Sequence, residues 1–243
     1  MKVLVDTDVL LYISCWNKND LVQAIDHWED LVGNIANEIA HQCTYEEPPV
    51  IEMMFALKGE NNFRKLIAPD YKQTSSRKAS KENKYLDGLY DHIKQHWNPT
   101  IADGWEADDQ LRAWTVQYAD EDWIIVSVDK DLRMIPGKFF NPRTFQLIEV
   151  SEDEADYNFH IQLLTGDAVD NIKGIRGIGP KKAAKILEGV NKGSRKAAVD
   201  AAWQGHDGQQ LCHDLIYIYP SKEDIPYERY GLSRPEIGDG EAA

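Results

Sequence analysis

The sequence predicts an α/β fold, a mostly parallel sheet flanked by helices, on three observations. Lys2 to Val5 is a short aliphatic, β-branched run that delivers Asp6 at its end. Trp123 to Val128, WIIVSV, is an apolar run bounded by acidic residues, the pattern of a strand buried on both faces. Between such runs apolar residues recur three and four apart, so strands alternate with helices. The sites of such sheets gather at the carboxyl ends of the strands.

In chain order, Asp8 follows Asp6, and then Leu21, Ile25, Trp28, Val32, Ile35 and Ile39 mark an amphipathic helix whose apolar stripe is core. Val50 to Phe55 reads as a second strand. From Lys58 to Lys84 eight Lys/Arg face three Asp/Glu, aromatics are mixed in at Phe63-Arg64-Lys65 and Asp70-Tyr71-Lys72, and Gln73 to Lys84 has no apolar periodicity. Tyr85, Leu86, Leu89, Tyr90, Ile93 and Trp97 outline a helix that Asn98-Pro99 ends.

Glu106, Asp108 and Asp109 then stand at the start of a helix whose buried face is Ala107, Leu111, Trp114 and Tyr118. One acid there serves capping and the helix dipole; three exceed that need. Asp108 and Asp109 point about 100° apart on a helix. One therefore reads as a direct cation ligand, and the other serves a second ion or the outer shell. The WIIVSV run ends in Asp129-Lys130-Asp131, and alternation along an extended chain sends both aspartates the same way.

Thr165 to Leu187 organises the rest. Asp167 and Asp170 run into a hairpin with Gly174, Gly177 and Gly179; Pro180 suits a first helical position, and Lys181, Lys182 and Lys185 follow. This is a helix-hairpin-helix pattern, which grips a nucleic-acid backbone without reading bases. Beyond it, Ser194–Trp203 and Gln209–Tyr219 read as helices, and Ser221–Ala243 as a polar trailing segment.

A chain of 243 residues can bury one substantial core with a small second lobe. Cys15, Cys43 and Cys212 form no CxxC pair, which favours a reduced intracellular setting. The N-terminus is too short and acidic for a signal peptide or a membrane span, and no other apolar run reaches spanning length, so a soluble protein is expected. The net charge of -14 repels phosphate at long range, yet its distribution is uneven. Lys173 to Lys196 carries eight Lys/Arg against one Glu, a second basic island beside Lys58 to Lys84 in an otherwise acidic body. His92 and His96 are four apart, as zinc ligands can be, but without third and fourth ligands nearby they read as surface residues.

The acids collected are Asp6, Glu106, Asp108, Asp109, Asp129, Asp131, Asp167 and Asp170. Converging, they would repel one another unless cations sat among them, and oxygen-only ligands select Mg2+ or Mn2+. Two such ions ~4 Å apart can activate a water and steady the leaving oxygen in phosphodiester hydrolysis.

The motifs GWEADD, SVDKD and GDAVDNIKGIRGIGPKKA, in that order after a strand ending in Asp6, closely resemble the flap endonuclease or 5′-3′ exonuclease family, notably its short phage-encoded and bacterial members. The match in motif order covers roughly residues 1 to 190. The resemblance implies a PIN-like nuclease core over 1–160, with a helical arch at about 58–104, and a helix-hairpin-helix DNA-binding region over 161–243. It implies a first metal at Asp6, Glu106 and Asp108, Asp129 shared or nearby, and a second metal at Asp131, Asp167 and Asp170 with Asp109 assisting. Lys72 and Arg77 match cationic arch-base residues that polarise the scissile phosphate, Tyr71 is placed to stack on a base, and K+ is expected at hairpin carbonyls near Ile175 to Ile178. The implied partners are branched, flap or 5′-ended duplex DNA, with RNA-DNA hybrid also fitting, acted on by a monomer in the cytoplasm, the host's if the protein is phage-encoded.

One departure stands out. The family usually places an Asp just after the second strand, where alignment on Phe63-Arg64 puts Leu57, with Glu60 the nearest carboxylate able to compensate. A weakened first metal site is the expectation, relieved by Leu57→Asp. Two other classes share part of the pattern: a DNA-binding homologue that has lost catalysis, which Leu57 alone favours, and a PIN-type ribonuclease, which the acidic core favours and the hairpin does not.

Overall fold

The computed structural model describes residues 1–43, 49–74 and 85–234. Strand β1 (Lys2–Asp6) runs into helix α1 (Thr7–Cys15), followed by α2 (Leu21–Gln42), β2 (Glu52–Lys58), the short α3 (Phe63–Ile67), α4 (Leu86–His96), β3 (Thr100–Ala102), α5 (Ala107–Gln117) and β4 (Trp123–Val126). A hairpin of β5 (Gly137–Asn141) and β6 (Gln146–Val150) precedes α6 (Glu152–Thr165). The two-residue strands β7 (Gly166–Asp167) and β8 (Ile172–Lys173) come next, then α7 (Pro180–Leu187), α8 (Lys192–Trp203) and α9 (Gln209–Ile216).

The sheet order is β3-β2-β1-β4-β5-β6, parallel except for the antiparallel edge strand β6. The chain steps from β1 outward through β2 and β3, then returns to lay β4 on the other side of β1. The order therefore reverses between β1 and β4, the crevice where open parallel sheets hold their ligands. Alternation divides the core. Val3, Val5, Ile124 and Val126 face a cluster with α1, α2 and α4, whereas Leu4, Ala56 and Ile125 face one with Ala107, Leu111 and Trp114 of α5. The two-sided burial explains why β1 and β4 are near-continuous apolar runs.

A separate cluster formed by Leu163, Leu164, Ile172, Ala183, Leu187, Val199 and Trp203 packs the hairpin region onto α6. Helix α6 runs across residue 160, so the expected boundary between the two regions falls inside one helix. The segment after Ser221 does not trail. Ile225 and Tyr227 are buried beside Phe63 and Trp105, and Arg229 and Tyr230 bond Asp214; residues 235–243 lie outside the described part. Among the described residues no helix is long and apolar enough to cross a membrane.

Candidate metal centre and nucleic-acid interface

The carboxyl ends of β1 and β4 place the first acids. Asp6 caps α1 by accepting the Val9 N–H at 3.4 Å, and its other oxygen accepts the Ser127 hydroxyl at 2.7 Å. Ser127 in turn accepts the Asp129 N–H at 2.9 Å, and Asp129 accepts the Asp131 N–H at 2.9 Å. A single hydroxyl thus ties the two strand ends together. Nothing in WIIVSV marks Ser127 for this role except that it is the first polar residue after four apolar ones.

Helix α5 supplies the next pair. Glu106 is its N-cap and forms a reciprocal capping box with Asp109. Glu106 also accepts the Tyr71 hydroxyl at 3.0 Å, the Lys72 ammonium at 2.5 Å and the Asn62 amide at 2.9 Å. Burial raises the Glu106 carboxyl, but the charges of Lys72 and Arg64 outweigh it and hold the group down at about 2. The adjacent aspartates part company, as their angular separation requires. Asp108 lines the cleft, whereas Asp109 is fully buried and bound by both oxygens to Arg64 at 2.6 and 2.9 Å, with the Glu106 and Tyr219 N–H groups also donating to it.

Asp109 is therefore a structural anchor and not an available ligand. Arg64, which the sequence did not single out, also donates to the carbonyls of Leu215 and Tyr217.

The remaining acids come from the start of the hairpin. Asp167 accepts the N–H groups of Val169 and Asp170 at 2.7 and 3.2 Å in a tight turn across β7 and β8. Gln162 of α6 reaches Asp131 and Asp167 at 3.3 and 3.4 Å, and Lys130 stands 3.5 Å from Asp167.

Glu106, Asp108, Asp129, Asp131 and Asp170 line one cleft with Lys72, Tyr71, Arg64 and Gln162. Its free space is about 30 Å3, room for ions or a couple of waters and not for a base. Asp6 acts by its charge on Asp108, and Asp167 on Asp131. Burial pushes Asp6 up to about 7, against the Ser127 hydrogen bond, with Asp8 and Asp129 adding to the rise. Burial, then Asp129, raises Asp131 to about 6, and Asp108 is driven well up by burial and by Asp129, Asp6 and Glu106. Asp6, Asp108 and Asp131 are thus more readily protonated than free carboxylates. Among the described residues no three His, Cys, Asp or Glu groups are already closed about one point. The donor set nevertheless fits hard divalent cations: it is oxygen-only, largely buried and mutually repelling, and it leaves the buried Asp8 Oδ1 and Gln162 Oε1 without hydrogen-bond partners.

Several expectations are corrected by these positions. The Tyr71 ring is 3% exposed and packed in the cluster under α6, so it cannot stack on a base. Leu57 is fully buried in the cluster with α1, α2 and α4 and pairs with Ile101; the β2 residue beside Asp6 in register is Ala56, so Leu57→Asp would bury a charge in core. Glu60 is exposed in a turn tied to Asp103 and does not line the cleft. Gly174 is not free for a ligand, because a Cβ there would lie 2.2 Å from the Thr165 carbonyl carbon. Gly177 has φ +82° with open space beside it, and Gly179, at φ −101°, is the N-cap of α7. Lys181, Lys182 and Lys185 are exposed, and Lys182 Nζ bonds the Gly177 carbonyl at 2.8 Å. Arg77 lies outside the described residues. His92 is half-buried, with its ring 4.5 Å from that of the exposed His96 and 3.8 Å from Glu29.

A doubly wound sheet with an acidic cleft at its switch point, followed in the chain by a lysine-bearing hairpin, is an α/β fold of the nucleic-acid-processing kind expected from the motifs. No family model matches the chain. It is 32% identical over 189 residues to flap endonuclease Xni of Shewanella sp. (strain MR-4), covering 69% of this chain and 71% of that protein. It is also 34% identical over 140 residues to DNA polymerase I of Rhizobium leguminosarum, covering 52% of this chain and 14% of that one. Among solved structures, the bacteriophage T5 D15 flap endonuclease, in a pseudo-enzyme-product complex with DNA and metal ions, superposes with TM-score 0.63 at 16% identity, over 90% of this chain and 88% of that one. Flap endonuclease-1 of Methanococcus jannaschii gives TM-score 0.55 at 14% identity, over 92% and 80%. The chain belongs to the flap endonuclease family.

Proposed function

We propose that this chain is a divalent-metal-dependent 5′ nuclease that holds branched or 5′-ended duplex DNA and hydrolyses a phosphodiester near the 5′ end of a strand. The observation that carries the reading is the convergence of carboxylates from four separate parts of the chain on one ion-sized cleft. Asp6, Glu106 and Asp108 would hold one Mg2+ or Mn2+, Asp131, Asp167 and Asp170 a second, with Asp129 between them. Bound there, the ions supply an activated water and neutralise the leaving oxygen.

The chain's own groups do the rest. Ser127 fixes the separation of Asp6 and Asp129, and Gln162 orients Asp131 and Asp167. The Lys72 ammonium, held at 2.5 Å by Glu106 and 3.6 Å by Asp170, stands at the cleft. Once those carboxylates are engaged by cations, it is positioned to take a non-bridging phosphate oxygen, with Arg77 assisting. Gly177, Lys181, Lys182 and Lys185 grip the duplex backbone. The Lys182 ammonium on the Gly177 carbonyl marks a cation-accepting spot, consistent with K+ at the Ile175 to Ile178 carbonyls. The same reading includes RNA-DNA hybrid as a substrate and a monomer working in the cytoplasm.

Labelled 5′-flap DNA, blunt duplex and RNA-DNA hybrid, each incubated with and without Mg2+, test the proposal. Cleavage of the flap DNA only with the ion is expected; no cleavage of any DNA at any Mg2+ or Mn2+ concentration overturns it. Asp129→Asn should abolish cleavage yet leave DNA affinity within about twofold, since it removes a cation ligand and no phosphate contact.

A further inference from the structure

Strands β1 and β4 each lead an acid into the cleft, but their neighbour β2 brings none: its end reads Ala56-Leu57-Lys58. Ala56 lies beside Asp6, Leu57 is in the core, and the Lys58 side chain is 57% exposed. Into this gap leans Asp8, from the first turn of α1. Its Oδ2 accepts the Lys58 N–H at 2.9 Å, so the carboxylate sits against the carboxyl end of β2. Its Oδ1 is buried and has no hydrogen-bond donor, with the Lys58 ammonium 3.6 Å away. A first-turn acid serves the helix dipole, and capping one N–H needs one oxygen. Neither role calls for a second oxygen withheld from water, whose desolvation the Lys58 ammonium at 3.6 Å offsets by charge and without a hydrogen bond. Asp8 does not line the cleft itself, but it stands at the end of β2, whose Ala56 pairs with Asp6, so it borders the acids gathered there.

We infer that Asp8, through Oδ1, supplies the carboxylate that β2 lacks, as a ligand of the first divalent cation alongside Asp6. The inference rests on the two-cation reading of the cleft and names a residue that the sequence motifs did not. It also places the compensating acid on α1, not at Glu60.

The test is Mn2+ binding to the full chain, followed by electron paramagnetic resonance of the free ion, with melting temperature recorded in parallel. Asp8→Asn keeps an acceptor for the Lys58 N–H and removes the charge. It is expected to weaken the tighter Mn2+ site about tenfold or more while the metal-free melting temperature holds. Lys58→Met in the same background should not restore the affinity, because the loss is of a ligand and not of a shield for that ammonium. A wild-type chain that binds Mn2+ and an Asp8→Asn chain that binds it equally well, or recovers on Lys58→Met, overturns this inference alone. A wild-type chain that binds no Mn2+ at millimolar concentration overturns the two-cation reading and the inference with it.

Discussion

At the scale of single residues, the arrangement separates acids whose charges raise one another across the cleft from those already satisfied by cationic partners. Asp109 and Asp214 belong to the second group. Asp109 shares a buried, bidentate pair with Arg64, and removing one partner of such a pair strands the other charge. Asp109→Ala should therefore cost ~3–5 kcal/mol in urea denaturation; a stability within ~1 kcal/mol of the parent would show that the pair does not hold these elements together. Asp214, 1% exposed by side chain, is held down at about 2: burial opposes, and His213, Arg229, Tyr230 and Gln210 win. Its folded value lies below the unfolded one near 3.9, so its contribution is complete above pH ~4 and is lost as pH falls towards 2. That contribution is about 2 kcal/mol, and Asp214→Asn should flatten the acid limb of a stability–pH curve between those values.

The carboxylates of the cleft were legible because each lies in a short motif with a known chemical need. Ser127, Gln162 and Arg64 were not, because each is tied to an acid dozens of residues away, Asp6, Asp131 and Asp109 in turn. Arg64 meets a carbonyl 151 positions further on.

At the scale of elements, β1, β4, α2, α4 and α5 were readable from apolar runs and helical steps, while the β5–β6 hairpin and α6 were not. Buried residues of α6 serve two different clusters, Ala155 one and Leu163 and Leu164 another, so no single apolar stripe marks it. The second strand was read as Val50 to Phe55 and is Glu52–Lys58. Leu57, placed by alignment on Phe63-Arg64, points into the core, and Ala56 is the β2 residue beside Asp6.

The joint of α6 with β7 and β8 depends on backbone contact, with Gly174 packed against Thr165 and Gly166. Gly174→Ala should lower the melting temperature by several degrees and weaken duplex binding together, since the hairpin can no longer dock. Gly177→Ala, with open space but φ +82°, should cost only about 1 kcal/mol. Differential scanning calorimetry on both variants separates packing from backbone strain.

At the scale of the molecule, a chain of net charge -14 must bring phosphate to a surface that is mostly repulsive. Lys181, Lys182 and Lys185 on α7 are exposed, and the proposed grip on the backbone is placed there. If each lysine displaces about one counterion, Lys181→Ala with Lys182→Ala should reduce the slope of log affinity against log salt by about 2, read from fluorescence anisotropy with duplex DNA in Ca2+. An unchanged slope would put the grip elsewhere.

The Arg64 guanidinium, carried on α3, is answered by two other stretches: the head of α5 and the segment from Leu215 to Tyr217. Leu215, Ile216 and Ile218 also form part of the cleft wall. A nascent chain emerging from the ribosome presents most of its acids long before that wall arrives. The proposed metal centre is thus closed last, and a polypeptide interrupted before Leu215 carries the acids without the wall that encloses them.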